Sequence, residues 1–208
     1  VLYETLWSCT AALLFSAVAV RLRRAAFLLS GGILVAIDQV LWYVDMLGLL
    51  FLGKMPVKVC GYLFWPSTPL VKKVTGMHHL VFVPLVLGVC AISDAGIPLL
   101  RGWLISVAEA VVCQGICRWT TPLELLDKEK ADDEEGLKRY MNVNLCYEAF
   151  KDVKIKWIRK FDRCAPIYYL PWMLWIWNAG NLLLFTIVAL PLLLLFRSLS
   201  LPGAFLSL

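Results

Sequence analysis

Six apolar stretches divide the chain, at residues 6–20, 26–51, 57–71, 74–92, 97–117 and 168–196, with charged or Gly/Pro-rich residues between them. Most approach or exceed the roughly 20 residues an α-helix needs to cross a hydrocarbon core. The pattern predicts an all-α fold, a polytopic transmembrane helical bundle of about five to seven spans. Composition agrees: 61% of residues are hydrophobic and the mean hydropathy is +0.76, which excludes an ordinary soluble domain. With 208 residues in total, the spans leave no room for a second folded domain, and residues 1–208 read as one membrane-embedded unit.

The stretches differ in kind. Arg21, Arg23 and Arg24 follow the first one where a secretory leader would carry a small-residue cleavage site, so 6–20 is expected to stay as a span. Residues 26–51 are long enough to cross with tilt and are expected to bend near Gly31-Gly32. Pro56, Pro66 and Pro69 make 57–71 too short and too broken for a regular span, and a re-entrant or interrupted crossing is expected there. The short turn at 93–98 makes 74–92 and 97–117 antiparallel neighbours. Pro171, Gly180 and Pro191 leave two readings of the last stretch open: one kinked, tilted helix, or a short interfacial piece followed by a span.

Residues 120–166 are the one long polar region, read as a loop plus an amphipathic helix inserted between spans. Within it, 127–135 mixes acids and lysines with no apolar stripe and is expected to be an exposed loop. Beyond it, Cys146, Phe150, Val153, Trp157 and Phe161 recur at intervals of three and four, the spacing of one helix face. A basic interfacial helix is expected, with Lys151, Lys154, Lys156, Arg159 and Lys160 among anionic headgroups; a helix with a solvated face satisfies the same pattern. The net charge of +5 is carried by cations beside spans, so nucleic acid is not implied. The seven cysteines are odd in number and lack a CxxC pair, and they read as buried free thiols.

Ionisable side chains inside spans cost free energy unless they are partnered, which makes them pointers to function. His78-His79 heads the apolar run 80–92. Asp38, Trp42 and Asp45 are separated by four and three residues and share one helix face, Glu109 lies in the middle of 97–117 ahead of Gln114, and Asn178 and Asn181 share a face of the last stretch. All are expected to aim at one shared interior. Adjacent helical residues diverge by about 100°, so both histidines can face that interior only if a helix starts there. The catalytic candidates are His78, His79, Asp45 and Glu109, and the substrate-binding candidates are Asp38, Trp42, Asn178 and Asn181. Two histidines with scattered acids have no fixed ligand spacing, so no metal site is assigned and no cofactor is identified.

The order Trp42-Tyr43-Val44-Asp45-Met46-Leu47-Gly48, then His78-His79, then Glu109 with Arg118-Trp119 near the end of its helix, resembles the TLC-domain superfamily across residues 6–198. That superfamily holds ceramide synthases, the translocating-chain-associating membrane protein and other lipid-handling proteins. The further His-Asp of the synthases is absent from Arg101-Gly102-Trp103-Leu104-Ile105-Ser106-Val107-Ala108-Glu109, and the Ser-Thr-Pro common in other members is Val111-Val112-Cys113 here. The resemblance therefore implies the non-synthase branch, membrane lipids as partners, and the endoplasmic reticulum or another endomembrane as location. Two function classes stay open. One is a lipid acyltransferase or hydrolase with His79 as general base or nucleophile, oriented by Asp45 or Glu109. The other is a non-enzymatic lipid-trafficking, transport or accessory subunit, alone or in an oligomer or membrane complex, whose buried polar groups hold helices together.

Overall fold

The first apolar stretch forms α1 (Ser8–Arg21), whose three buried positions, Ala12, Ser16 and Ala19, are all small. Ala12 and Ser16 lie against α2 (Ala25–Leu34), where a Cβ on Gly31 would stand 3.1 Å from the Ala12 carbonyl. Apolar side chains gain little by leaving lipid for protein, so close backbone approach through small residues is what joins helices in a bilayer. The structure, a computed structural model, describes residues 6–66, 68–93, 96–126, 138–140, 143–149, 156, 160, 162 and 165–199.

Helix α2 is the centre of the bundle and is buried without interruption from Leu28 to Leu34. Its Leu29 packs on Gly102 of α6 (Leu99–Thr120), and its Gly32 approaches Val86 and Phe185. The chain then bends by 55° into α3 (Ala36–Leu52). The bend comes at Val35, beyond the glycines at which the sequence places it, because Gly31 and Gly32 are occupied with close packing. Asn181 holds the break: its Oδ1 accepts the Ile37 N–H at 2.8 Å and its Nδ2 donates to the Leu34 carbonyl at 2.8 Å. A side chain from another helix thus replaces ladder bonds that lipid cannot supply.

Helix α3 ends at Gly53 in the left-handed conformation (φ 65°), and the chain folds back. The one helical element between Gly53 and Pro69 among the described residues is a 3-10 turn, Gly61–Phe64, too short to cross a membrane. Asp45 fastens this loop, its carboxylate accepting N–H groups from Val57 at 2.7 Å, Lys58 at 2.9 Å and Cys60 at 3.2 Å. Burial, followed by the Asp45 charge, pushes the Cys60 thiol above its ordinary pKa.

Helices α4 (Leu70–Gly76) and α5 (His78–Ala91) continue one another across Met77. Helix α7 (Pro166–Leu184) runs through a π-helical segment, Phe185–Ala189, into α8 (Leu190–Leu199) as one 34-residue helix, so the last stretch is continuous. Among the described residues three helices are long and apolar enough to cross a membrane (Leu70–Ala91, Leu99–Thr120 and Pro166–Leu199), and four if α2 and α3 count as one broken span. Helix α1 has 14 residues, about 21 Å of rise against a core of about 30 Å. The count by length and composition is thus below the five to seven expected. Leu50, Val71, Leu100, Ile187 and Leu199 stand exposed on the outside, as apolar residues facing lipid would.

The polar region departs from an all-helical plan. Glu124–Leu126 (β1) pairs antiparallel with Lys138–Tyr140 (β2), and 127–137 lies outside the described residues. Val143–Leu145 is a 3-10 turn with Asn144 and Leu145 at positive φ. Asn144 offsets the strain by accepting the Ser8 N–H at 2.7 Å and donating to the Leu6 carbonyl at 2.7 Å, so it ties the start of α1 to the end of α6 through Cys117. Cys146 is fully buried beside Val143 and Cys117. It therefore does not begin a lipid-facing stripe, which corrects the start of the expected amphipathic helix. Phe150, Val153, Trp157 and Phe161, with Lys151, Lys154 and Arg159, lie outside the described residues, while Lys156 and Lys160 are exposed.

Replacing Asp45 with Ala leaves three loop N–H groups without their acceptor and is expected to cost about 2–3 kcal/mol. Asp45→Asn, which keeps one carbonyl oxygen, should cost about half as much. Equilibrium unfolding in micelles reads both, and an Asp45→Ala change below about 0.5 kcal/mol, the range of a neutral surface substitution, would contradict this role.

Candidate functional site

The buried polar side chains fall into two groups, those fully engaged with the backbone and those with an atom left over. Asp45, Asn144 and Asn181 belong to the first, each satisfying main-chain groups at a loop or helix break. Glu109 and Asn178 are half-committed. The Ser30 hydroxyl donates to Glu109 Oε1 at 3.0 Å while Oε2 is buried without a partner. Asn178 Nδ2 donates to the Leu174 carbonyl at 2.7 Å while its Oδ1 has none. No hydrogen bond among the described residues links Asp45, Glu109, Asn178 or Asn181 to the histidines. The single interior expected from the sequence resolves into separate joints.

One joint differs because several side chains there meet each other. It sits between α1, α3 and α5. The buried stripe of α3 is Ala36, Gln39, Trp42, Asp45 and Gly48, an interval of three residues, and its middle members face the start of α5. Gln39 Nε2 lies 2.5 Å from His79 Nδ1, and the Trp42 ring stacks on His79 with centroids 5.9 Å apart. His79 is therefore positioned by Gln39, not by Asp45 or Glu109. Asp38 flanks the stripe, half-buried and within electrostatic reach of Cys9 on α1.

Both histidines reach this joint because α5 begins at His78, the one condition under which adjacent residues can converge. Their rings are 4.1 Å apart, tilted by 32°. They are not at the head of the span, since α4 carries the 22-residue candidate span back to Leu70, about 12 Å of helical rise earlier. The break at Met77 frees the Thr75 carbonyl, which takes the His78 Nδ1–H at 2.6 Å. His78 Nε2 then remains buried without a partner, at a cost of about 1–3 kcal/mol if nothing fills the gap. Cys9 offers its Sγ within 4.8 Å of a ring nitrogen of each histidine. A neutral imidazole with an uncommitted nitrogen beside a thiol can take its proton or share a cation with it.

A second feature lies at the other end of α5. The turn between α1 and α2 and the start of α6 enclose an open groove of about 870 Å³, lined by Arg23, Arg24 and Arg101 together with Phe27, Ile97 and Leu104. Arg23 adopts positive φ (53°) at the turn, and it and the adjacent Arg24 both line the groove. All three arginines are exposed.

No family model, curated protein or solved structure matches the chain, so the likeness to TLC-domain proteins rests on its motif residues alone. Sequence reasoning singles out His78, His79 and Trp42, which the fold brings together. It misses Cys9, Gln39 and Arg101. Gln39 carries a signal, since it lies three residues before Trp42 on the same face, but charge draws attention to Asp38. Cys9 and Arg101 carry none, because only tertiary packing places them.

The chain has two histidines, so imidazole nitrogen resonances are resolvable one from the other. Gln39→Leu removes the hydrogen-bond partner of His79 and should shift its ring signals while leaving those of His78 nearly in place, with a stability loss of about 1–2 kcal/mol. Two unmoved histidines would contradict the pairing.

Proposed function

We propose that this chain is an integral membrane protein that binds anionic lipid in the groove formed by Arg23, Arg24 and Arg101. The observation that carries the reading is the composition of that groove. Three arginines line an open space whose other walls include Phe27, Ile97 and Leu104, at the ends of helices compatible with crossing a membrane. Guanidinium is the side chain best fitted to bidentate recognition of a phosphate, and the apolar wall suits the glycerol and upper acyl region attached to it. A free anion would use the first feature and not the second. The motif likeness to TLC-domain proteins supports membrane lipid as the partner and a place in the endoplasmic reticulum or another endomembrane.

Thermal unfolding of the full chain in neutral detergent tests this. Phosphatidylglycerol at 100 times its Kd should stabilise the protein by about 2.7 kcal/mol, while phosphatidylcholine and inorganic phosphate should leave the melting point unchanged. The Arg24→Gln/Arg101→Gln double variant should lose the response and keep its own melting point. Equal stabilisation by phosphatidylcholine, an effect reproduced by phosphate alone, or an undiminished response in the double variant would each overturn the reading.

A second reading, turnover of a lipid ester at the histidine pair, is supported by the unpartnered His78 Nε2. In it one imidazole acts as general base and Gln39, not a carboxylate, orients the other. His78→Ala and His79→Ala should each lower turnover of a lipid ester by at least 100-fold, the lower range for general-base contributions. Unchanged turnover in a folded double variant would remove it.

A further inference from the structure

We infer that Cys9, His78 and His79 form a binding site for a zinc-like divalent cation, with one coordination position left open. Three observations converge on it. The Cys9 sulfur and one nitrogen from each ring lie within 4.8 Å of one another, although they come from two helices far apart in sequence. Zinc–nitrogen and zinc–sulfur bonds of about 2.1 and 2.3 Å place tetrahedral donors roughly 3.3–3.8 Å apart, so a small rotation of each side chain closes the cluster. One sulfur and two imidazoles are a donor set suited to zinc, and softer than the oxygen sets that magnesium or calcium require.

The surroundings are those of ligands in waiting. Metal-bound histidine uses one nitrogen for the ion and gives the other N–H to an acceptor, which fixes ring and tautomer. His78 does this with the Thr75 carbonyl at 2.6 Å, and its Nε2 is buried without any partner. His79 Nδ1 is held by the side-chain amide of Gln39, whose Oε1 is likewise buried and unpartnered. Rotating that amide by half a turn brings its Oε1 onto the His79 Nδ1–H and leaves the His79 Nε2 for the ion. Two of the joint's three unpartnered atoms are thereby accounted for, one as a ligand and one as the acceptor behind a ligand; the third is Trp42 Nε1.

Charge is balanced as well. Binding requires the Cys9 thiol to release its proton to solvent, and the thiolate neutralises one of the two charges of the ion. Asp38, close enough to Cys9 for its charge to be felt, offsets the second without being a ligand itself. The break at Met77 and the start of α5 at His78 are what allow neighbouring histidines to converge, and a continuous helix would send one of them elsewhere.

The experiment uses the full chain in detergent without added lipid, so its outcome is independent of the arginine groove. Metal-stripped protein is titrated with Co²⁺, whose bond to a thiolate gives a near-ultraviolet charge-transfer band. One Co²⁺ per chain is expected, displaced by Zn²⁺, with the band absent in Cys9→Ser and retained in Cys113→Ser. His78→Gln should weaken binding at least 10-fold, the lower end for disturbing a metal's surroundings. Because Cys9→Ser could fail to fold, the unaltered chain supplies a second readout: Zn²⁺ should slow maleimide labelling of Cys9 and leave that of Cys113 unchanged. Absence of the band in the unaltered chain, its survival in Cys9→Ser, or labelling of Cys9 at the same rate with and without Zn²⁺ would overturn the inference.

Discussion

The side-chain amide of Asn181 lies in the gap between α2 and α3, with its oxygen on the Ile37 N–H and its nitrogen on the Leu34 carbonyl. A helix can break in lipid only if something takes up the freed main-chain groups, because the hydrocarbon cannot. With this amide in place the chain turns by 55°, and α3 leaves the axis of α2. That turn carries Gln39 and Trp42 against α5. Without it α3 would continue along the axis of α2, and nothing would bring its buried stripe to the histidines.

The same constraint explains why the polar residues sort as they do. Each interruption in a helix calls for a side chain that imitates the missing backbone: Asn181 at Val35, Asp45 over the loop after Gly53, and Asn144 between the ends of α1 and α6. Asp45 and Asn181 look chemical in the sequence because they are polar within apolar surroundings, and their atoms are nonetheless fully used. The break at Met77 is treated differently. There a histidine ring takes the freed Thr75 carbonyl, and an imidazole, having two nitrogens, satisfies the backbone with one and still presents the other. A carboxylate at that position has no proton to give the carbonyl, and an amide would present an oxygen in place of a basic nitrogen. Position and residue type together therefore separate a structural joint from a site.

The helices are legible in the sequence because hydrophobic runs report them directly, and the histidine pair is legible because imidazoles are rare in such runs. A bend after α2 is legible too, but the sequence points to Gly31-Gly32 for it, since glycine marks close packing as readily as flexibility, and here the packing against Ala12 and Phe185 determines its use. The spacing of Asp38 and Asp45 suggests a pair. The face that is buried is one residue away from Asp38, and it runs through Gln39, which charge-based reasoning passes over. Cys146 fits a helical stripe by interval alone, yet the positive φ of Asn144 and Leu145 stops a helix from forming there. Cys9 is invisible to sequence reasoning, because its place beside the histidines exists only once α1, α3 and α5 have packed.

The convergence of α1, α3 and α5 is the claim on which the site depends, and a covalent distance measurement reaches it most directly. The substitution His79→Cys, made in a chain whose cysteines other than Cys9 are replaced, places two thiols at the joint. Mild oxidation in membranes, followed by proteolysis and mass spectrometry, should give a disulfide between Cys9 and the introduced thiol in most molecules, and Leu85→Cys, on an exposed face of the same helix, should give almost none. Equal cross-linking at the two positions, or none at either, would contradict the account.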